Sequence, residues 1–296
     1  MRTRALRRFG AAAGVMPHPP PLELAIIDLD NTLFDWVGFL TSALDAMVAE
    51  AATLLATDQK LVCAQLAQVH ARYANIEQPF ALLDIPEVGL RYSSDSVRAV
   101  AHLSPAFAAF DAARKTRLRP YPGVVEALDW LQSNQVSVAF YTDSSWVNAV
   151  AKLRQCDLLR FAALLVAQPY RESRARSRHE DFHDDPRLII LDEAERKPSI
   201  DVIRRILGSC NADSQSSVMI GDSIYRDIVP ASYVGLGTIW ARYGTYVDPM
   251  SAQRLWRYTH WPRITEAEPQ LPEDARAVDD SAKLRDVLIE LSRRSD

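Results

Sequence analysis

The chain has 296 residues, 48% hydrophobic and 24% charged, enough for one large domain or two ordinary ones with a real core. Its 34 basic and 38 acidic residues leave a net charge of −4, which argues against a general nucleic-acid binder. Cys63, Cys156 and Cys210 are too scattered for a disulfide framework or a metal site and fit a reducing cytoplasm, and no apolar run approaches the ~20 residues of a membrane helix.

Residues 1–20 carry Arg7-Arg8-Phe9 and a few small apolar residues, similar to a twin-arginine export signal. The apolar run is short and Pro17, Pro19, Pro20 and Pro21 end it, so the segment reads as a flexible tail. Next, "LAIIDLDNT" predicts a strand around Ala25, Ile26 and Ile27 that is buried on both faces, as in a parallel sheet. Asp28 and Asp30 follow two apart, so a period of two puts their side chains on one side. A turn or helix cap explains one such aspartate. Two carboxylates that repel each other and resist desolvation suggest a cation site joined to acid–base or nucleophilic chemistry.

Trp36, Phe39, Leu40, Ala43, Leu44, Met47 and Val48 recur at helical spacing, and helical patterns with Pro-marked loops continue to about residue 118. Residues 35–118 therefore read as an all-helical block inserted directly after the two aspartates. Residues 21–34 and 119–296 read as an α/β unit. "YPGVVEALDWLQ" is a turn and helix, and "VSVAFYTDSS" a strand ending at Thr142, Asp143 and Ser144. A helix near 146–155 and the apolar run "FAALLVAQ" follow. Residues 169–186 read as a charged loop and "RLIIL" as a short strand. "KPSIDVIRRILG" predicts a helix with Pro198 in its first turn. "SSVMIGDS" is a strand ending at Asp222, followed by a helix bearing Asp227 and by the strand "TIWARYG". Residues 248–276 read as loop-rich, 276–278 as a short strand, and "AKLRDVLIEL" as a closing helix. Strands alternating with helices imply a parallel sheet covered on both faces.

Active groups in such sheets gather at the carboxyl ends of the strands. Asp28 with Asp30, Thr142, Lys197, and Asp222 with Asp227 all occur there or just before a helix. Each has an ordinary explanation as a cap, turn or surface residue; their common placement and order do not. "DLDNT", "YTDS", "RKP" and "GDSIYRD" together resemble the four motifs of the haloacid dehalogenase-like hydrolases. "YPGVVEAL" and "RDIVPASYVGLGTIWARYG" are also similar to that family. The resemblance covers about residues 22–245. It implies a Rossmann-like parallel sheet with an inserted all-α cap over 35–118.

The resemblance also implies phosphomonoester hydrolysis. Asp28 would be the nucleophile that forms an aspartyl-phosphate. Asp30 would act as general acid, then general base. Mg²⁺, a hard cation, would be held by the Asp28 side chain, the Asp30 backbone carbonyl, Asp222 and Asp227. Thr142 and Lys197 would bind the phosphoryl group beside Asp143, where the family often carries asparagine. The expected substrate is a small cytoplasmic phosphometabolite, with no nucleic-acid or membrane partner. Two alternatives share the core, a phosphomutase and a non-catalytic phosphate binder. Dehalogenase chemistry is disfavoured because the second acid, Asp30, is present.

His179 and His183 formally match the H-E-x-x-H zinc signature. That chemistry needs a stable helix and a third ligand. Here the motif lies between an Arg-rich run (Arg174, Arg176, Arg178) and Asp184-Asp185-Pro186, so it reads as a solvated loop.

Overall fold

Leu24–Ile27 forms β1, and every residue in it is buried. Leu24 and Ile26 join one apolar cluster, Ala25 and Ile27 another, so the strand is covered on both faces as expected. The computed structural model describes residues 21–93, 95–170, 180–259 and 270–293. Its remaining strands are β2 Ser137–Ser145, β3 Ala162–Gln168, β4 Leu188–Ile190, β5 Ser217–Gly221, β6 Gly237–Trp240 and β7 Arg276–Ala277. They form one sheet in the order β4-β3-β2-β1-β5-β6-β7, with every pairing parallel. The chain runs outward from β1 to β4, then crosses back to the other side of β1 for β5. That reversal leaves a crevice at the carboxyl ends of β1, β2 and β5.

The helices in chain order begin with α1 Trp36–Leu54, α2 Gln59–Tyr73, α3 Pro86–Tyr92 and α4 Ser96–Arg117. No strand occurs among the described residues of this stretch, as expected. The α1 stripe expected from sequence is buried from Phe39 to Val48, against α4 above all. One expectation needs correcting. With 19 residues, α1 is long and apolar enough to cross a membrane by length and composition. Its apolarity instead makes it the central helix of the insert, packed against α4, α2 and a later helix.

The insert is entered at Phe34 and left at Pro120, which pair in an antiparallel bridge. The Tyr121 amide also donates to the Leu33 carbonyl at 2.8 Å. Asp35 caps α1 by accepting from the Gly38 amide at 2.8 Å.

The sheet is then covered by α5 Val124–Ser133, α6 Trp146–Gln155, α7 Ile200–Cys210, α8 Val229–Val234, α9 Pro249–Leu255 and α10 Leu284–Arg293. α5, α6 and α10 bury their apolar faces with Ala25 and Ile27, and α7 with Leu24 and Ile26. The first of these apolar clusters continues unbroken from the sheet into the insert.

Two local readings differ from the sequence expectation. Pro198 is not in the first turn of α7: Ser199 is the cap, its side chain accepting from the Val202 amide at 3.3 Å, so Pro198 precedes it. The loop-rich 248–276 stretch also holds a short helix that the sequence reading did not single out: Asp248 caps α9 and Pro249 occupies its first position. A helix this short has too little periodicity to announce itself, but its cap and proline are visible in the sequence.

Candidate active site

All seven residues singled out from the sequence, Asp28, Asp30, Thr142, Asp143, Lys197, Asp222 and Asp227, line one cavity of about 630 Å³. The ladder explains the convergence. The Asp28 amide still donates to the Ile220 carbonyl of β5 at 2.9 Å, which sets the first acid beside the Gly221-Asp222 corner. Beyond it the chain turns sharply, with Asn31 at φ 61° and its amide on the Phe34 carbonyl. The turn of Arg242–Thr245 packs against this loop so closely that a side chain on Gly244 would collide with the Asn31 carbonyl oxygen. At Gly221 a side chain would overlap the Asp227 carboxyl. Both glycines are therefore close-approach positions.

Asp28 is nearly buried and held at both oxygens. Lys197 Nζ donates to its Oδ1 at 2.5 Å and Thr32 Oγ1 to its Oδ2 at 3.1 Å. Lys197 also donates to Asp227 Oδ1 at 2.8 Å, and the Ser223 amide donates to Asp227 Oδ2. Burial alone would lower the Lys197 ammonium, but Asp227 and Asp28 outweigh it and hold the group charged. Oxygens of Asp28, Asp222 and Asp227 lie within 4.8 Å of one another. Burial pushes the Asp222 carboxyl well above its ordinary range, and the neighbouring Asp28 and Asp227 add to the rise. Burial likewise raises Asp227, against the pull of Lys197. Three oxygen-donor side chains crowded this tightly suit a hard divalent cation such as Mg²⁺.

Asp30 lies in the same cavity but belongs to a different cluster. Lys152 of α6 donates to both its oxygens, at 2.6 and 2.8 Å. The same ammonium reaches both oxygens of Glu77, at 2.8 and 3.1 Å, and Ser144 Oγ at 3.1 Å. Glu77 comes from the insert, just after α2, and Trp36 Nε1 also donates to it. Burial pushes the Asp30 carboxyl up to about 7, with Lys152 opposing and Glu77 and Asp28 adding to the rise. A carboxyl poised there can both give and take a proton near neutrality.

Thr142 is buried, its Oγ1 accepting from the Ser144 amide at 3.0 Å. Asp143 turns its oxygens to the Lys197 amide, at 3.0 Å, and to the Arg226 guanidinium. Its expected place beside the phosphoryl site thus comes with a counter-ion.

Sequence reasoning missed Lys152, Glu77 and Arg226. Lys152 had a faint signal. It stands four residues after Asn148, on the same face of α6, and Asn148 Nδ2 donates to the Glu77 carbonyl. Nothing in the sequence marks Glu77.

The described part of the H-E-x-x-H match, residues 180–183, does not form the helix that its chemistry needs. Glu180–Phe182 is a single 3-10 turn, and His183 pairs with Asp184 and meets the Trp146 ring edge to face. His179 and Arg174, Arg176 and Arg178 lie outside the described residues, as does the 1–20 tail. The reading of 169–186 as a solvated loop is corrected at Phe182, which is buried between Arg154 and Arg187.

Residues 22–235 match the family model for haloacid dehalogenase-like hydrolases. The chain belongs to that family. It is 28% identical over 282 residues to a phosphoglycolate phosphatase from Agrobacterium fabrum, spanning 93% of this chain and 96% of the relative. It is 24% identical over 229 residues to a glyceraldehyde 3-phosphate phosphatase from Pyrococcus abyssi, spanning 75% and 82%. Among solved structures, the 2-haloacid dehalogenase from Pseudomonas syringae superposes with a TM-score of 0.52 at 20% identity, covering 91% of this chain and 99% of that one. The HAD phosphatase from Thermococcus onnurineus superposes at 0.50 and 14%, covering 90% and 98%. These structures share the family fold, the Rossmann-like parallel sheet flanked by helices. This family member is an enzyme of the hydrolase class.

Proposed function

We propose that the chain is a Mg²⁺-dependent phosphatase of small phosphomonoesters that works through an aspartyl-phosphate on Asp28. The observation that carries this reading is the division of labour between the two acids. Asp28 is fixed by Lys197 and Thr32 beside Asp222 and Asp227, while Asp30 is held apart by Lys152 and kept protonatable. The names of the two relatives, both phosphatases of small phosphate esters, support the same reaction class.

In the first step an Asp28 oxygen bonds to phosphorus and the ester P–O bond breaks. The proton of Asp30 goes to the departing alkoxide. In the second step water attacks phosphorus, Asp30 takes its proton, and the bond to Asp28 breaks to release phosphate. Thr142 keeps its own hydroxyl proton for a phosphoryl oxygen, because its oxygen already accepts the Ser144 amide. Lys197 orients Asp28 and offsets charge on the transferring group. Asp28, Asp222, Asp227 and the Asp30 carbonyl would hold Mg²⁺, which supplies charge neutralisation for the phosphoryl oxygens. Residues 35–118 serve as a lid hinged at Asp35 and Leu118–Pro120. The three cysteines are free thiols, in keeping with a reducing compartment such as the cytoplasm.

The test is turnover of a phosphomonoester panel with and without Mg²⁺, with rapid acid quench and mass spectrometry. Turnover should vanish on chelation and return with Mg²⁺, and one phosphoryl group should be trapped on Asp28. Undiminished turnover after chelation would remove the metal from the reading. Failure to trap any adduct, even when Asp30 is replaced by Asn, would favour direct attack by water.

A further inference from the structure

The cavity over the carboxylates has a polar floor and an aromatic roof. Trp36 opens α1, Tyr73 ends α2, and Trp256 follows α9; all three line the same space as Asp28 and Asp30. The polar tips of the first two are engaged, Trp36 Nε1 on Glu77 and Tyr73 hydroxyl on Asp84. What they offer a ligand is ring surface.

Trp256 lies beyond residues 22–235, the stretch that matches the family model. It follows the sheet residues in the chain, yet its segment is fastened to the insert. Asp45 of α1 accepts from Arg254 at 3.3 Å and from the Tyr258 hydroxyl at 2.5 Å. On α2, the ring of the fully buried His70 bonds the Tyr258 carbonyl at 3.1 Å and the Cys63 thiol donates to the Arg257 carbonyl at 3.3 Å. Four anchors on both sides of an indole that remains 38% exposed at a cavity wall make a rigid mount for a large apolar surface. A flat group laid on the exposed part of such a surface would bury more of it.

We propose that Trp256 is a specificity-determining residue, and that the preferred phosphomonoester carries a planar ring in its leaving group, stacked against the aromatic roof while the phosphate lies at Asp28. This rests on the phosphatase reading and narrows its substrate class to ring-bearing esters over short open-chain ones. Because the Trp256 segment is tied to α1 and α2, the roof travels with the insert. Its contact with the ring is therefore made in the closed state.

The experiment uses the full chain with Mg²⁺ and two substrates, phenyl phosphate and glycerol 3-phosphate. Trp256→Ala should raise KM for phenyl phosphate about tenfold, the scale of one lost aromatic stacking partner, with kcat within about twofold. KM for glycerol 3-phosphate should not move. Trp256→Phe should restore most of the phenyl phosphate KM. Asp45→Asn with Tyr258→Phe, which loosens the mount and leaves the indole in place, should shift KM in the same selective direction. Circular dichroism and melting check that each variant is folded. Equal KM changes for both substrates, or none, would overturn the inference while leaving the phosphatase reading intact. Absence of turnover of any phosphomonoester by the unmodified chain would overturn both.

Discussion

Lys197 and Lys152 are both buried ammonium groups gripped by two carboxylates, yet they hold different things together. Lys197 joins Asp28, which directly follows β1, and Asp227, which lies on the helical turn Ile224–Ile228 after the neighbouring parallel strand β5. Its cluster stands wherever the sheet stands. Lys152 joins Asp30 of the sheet unit to Glu77 of the insert. That cluster is complete only when the insert is seated. A buried lysine between carboxylates is thus not one kind of feature. The first ties together two acids of the sheet unit, and in the proposed reaction the second would tie the proton-transferring acid to the position of the insert.

The sharpest way to break this comparison is at the acids. Asp28→Asn should abolish turnover on every substrate, because the attacking charge is gone. Asp30→Asn should lower hydrolysis of an alkyl phosphate by the ~10²–10⁴ typical of a lost general acid, and formation of the adduct from an activated aryl phosphate by less. The phosphoryl adduct on Asp28 should then accumulate. Identical behaviour of the two variants on both substrates would erase the distinction between the clusters.

Next come the lysines. Lys197→Met leaves Asp28 and Asp227 buried without their cation, an arrangement that costs about 3–5 kcal/mol. Thermal melting should drop, Mg²⁺ should recover part of the loss, and turnover should fall by at least the ~10²–10³ expected when a charge-stabilising donor is removed. An unchanged melting temperature would show that the carboxylates do not depend on Lys197.

Lys152→Met should act more selectively. Asp30 loses its holder, and misplacement of a proton donor costs up to ~10² in turnover of a poor leaving group. An aryl phosphate should be affected less. Adding Glu77→Gln to Lys152→Met removes one of the two stranded carboxylates, so the melting temperature should partly recover. Additive destabilisation instead would mean that Glu77 and Lys152 are not coupled.

The smallest effect is expected from His179→Ala with His183→Ala. Phosphatase activity should stay within a few-fold, with a slight loss of stability from the His183 contact on Trp146. Stoichiometric zinc that is lost in this double variant would revive the metal reading of H-E-x-x-H.

Much of the site could be read from the sequence, because its residues sit at places with a local signature. Asp28 and Asp222 directly follow apolar strands, Thr142 lies in the last half of β2, and Lys197 precedes a capped helix. The orientation of Asp143 could not be read, since it depends on Arg226 and the Lys197 amide, both far along the chain. The short α9 escaped notice because seven residues give periodicity little room. The mid-chain charged segment looked fully solvated because a single buried Phe182 is invisible among its charges.

What the sequence by itself determined was the alternation of strands and helices, the helical insert after the first strand, and the acids at the strand ends. Those follow from repeats of 2 and 3.6 residues and from turn chemistry, all of them local. What only the tertiary structure decided was which charge meets which. Lys152 lies 122 residues from Asp30 and 75 from Glu77, and Trp256 reaches the cavity on a segment anchored to helices some 200 residues earlier. No local propensity encodes such meetings. They arise because burial of apolar faces sets where the helices lie, and buried charges then persist only where an opposite charge has been brought to meet them.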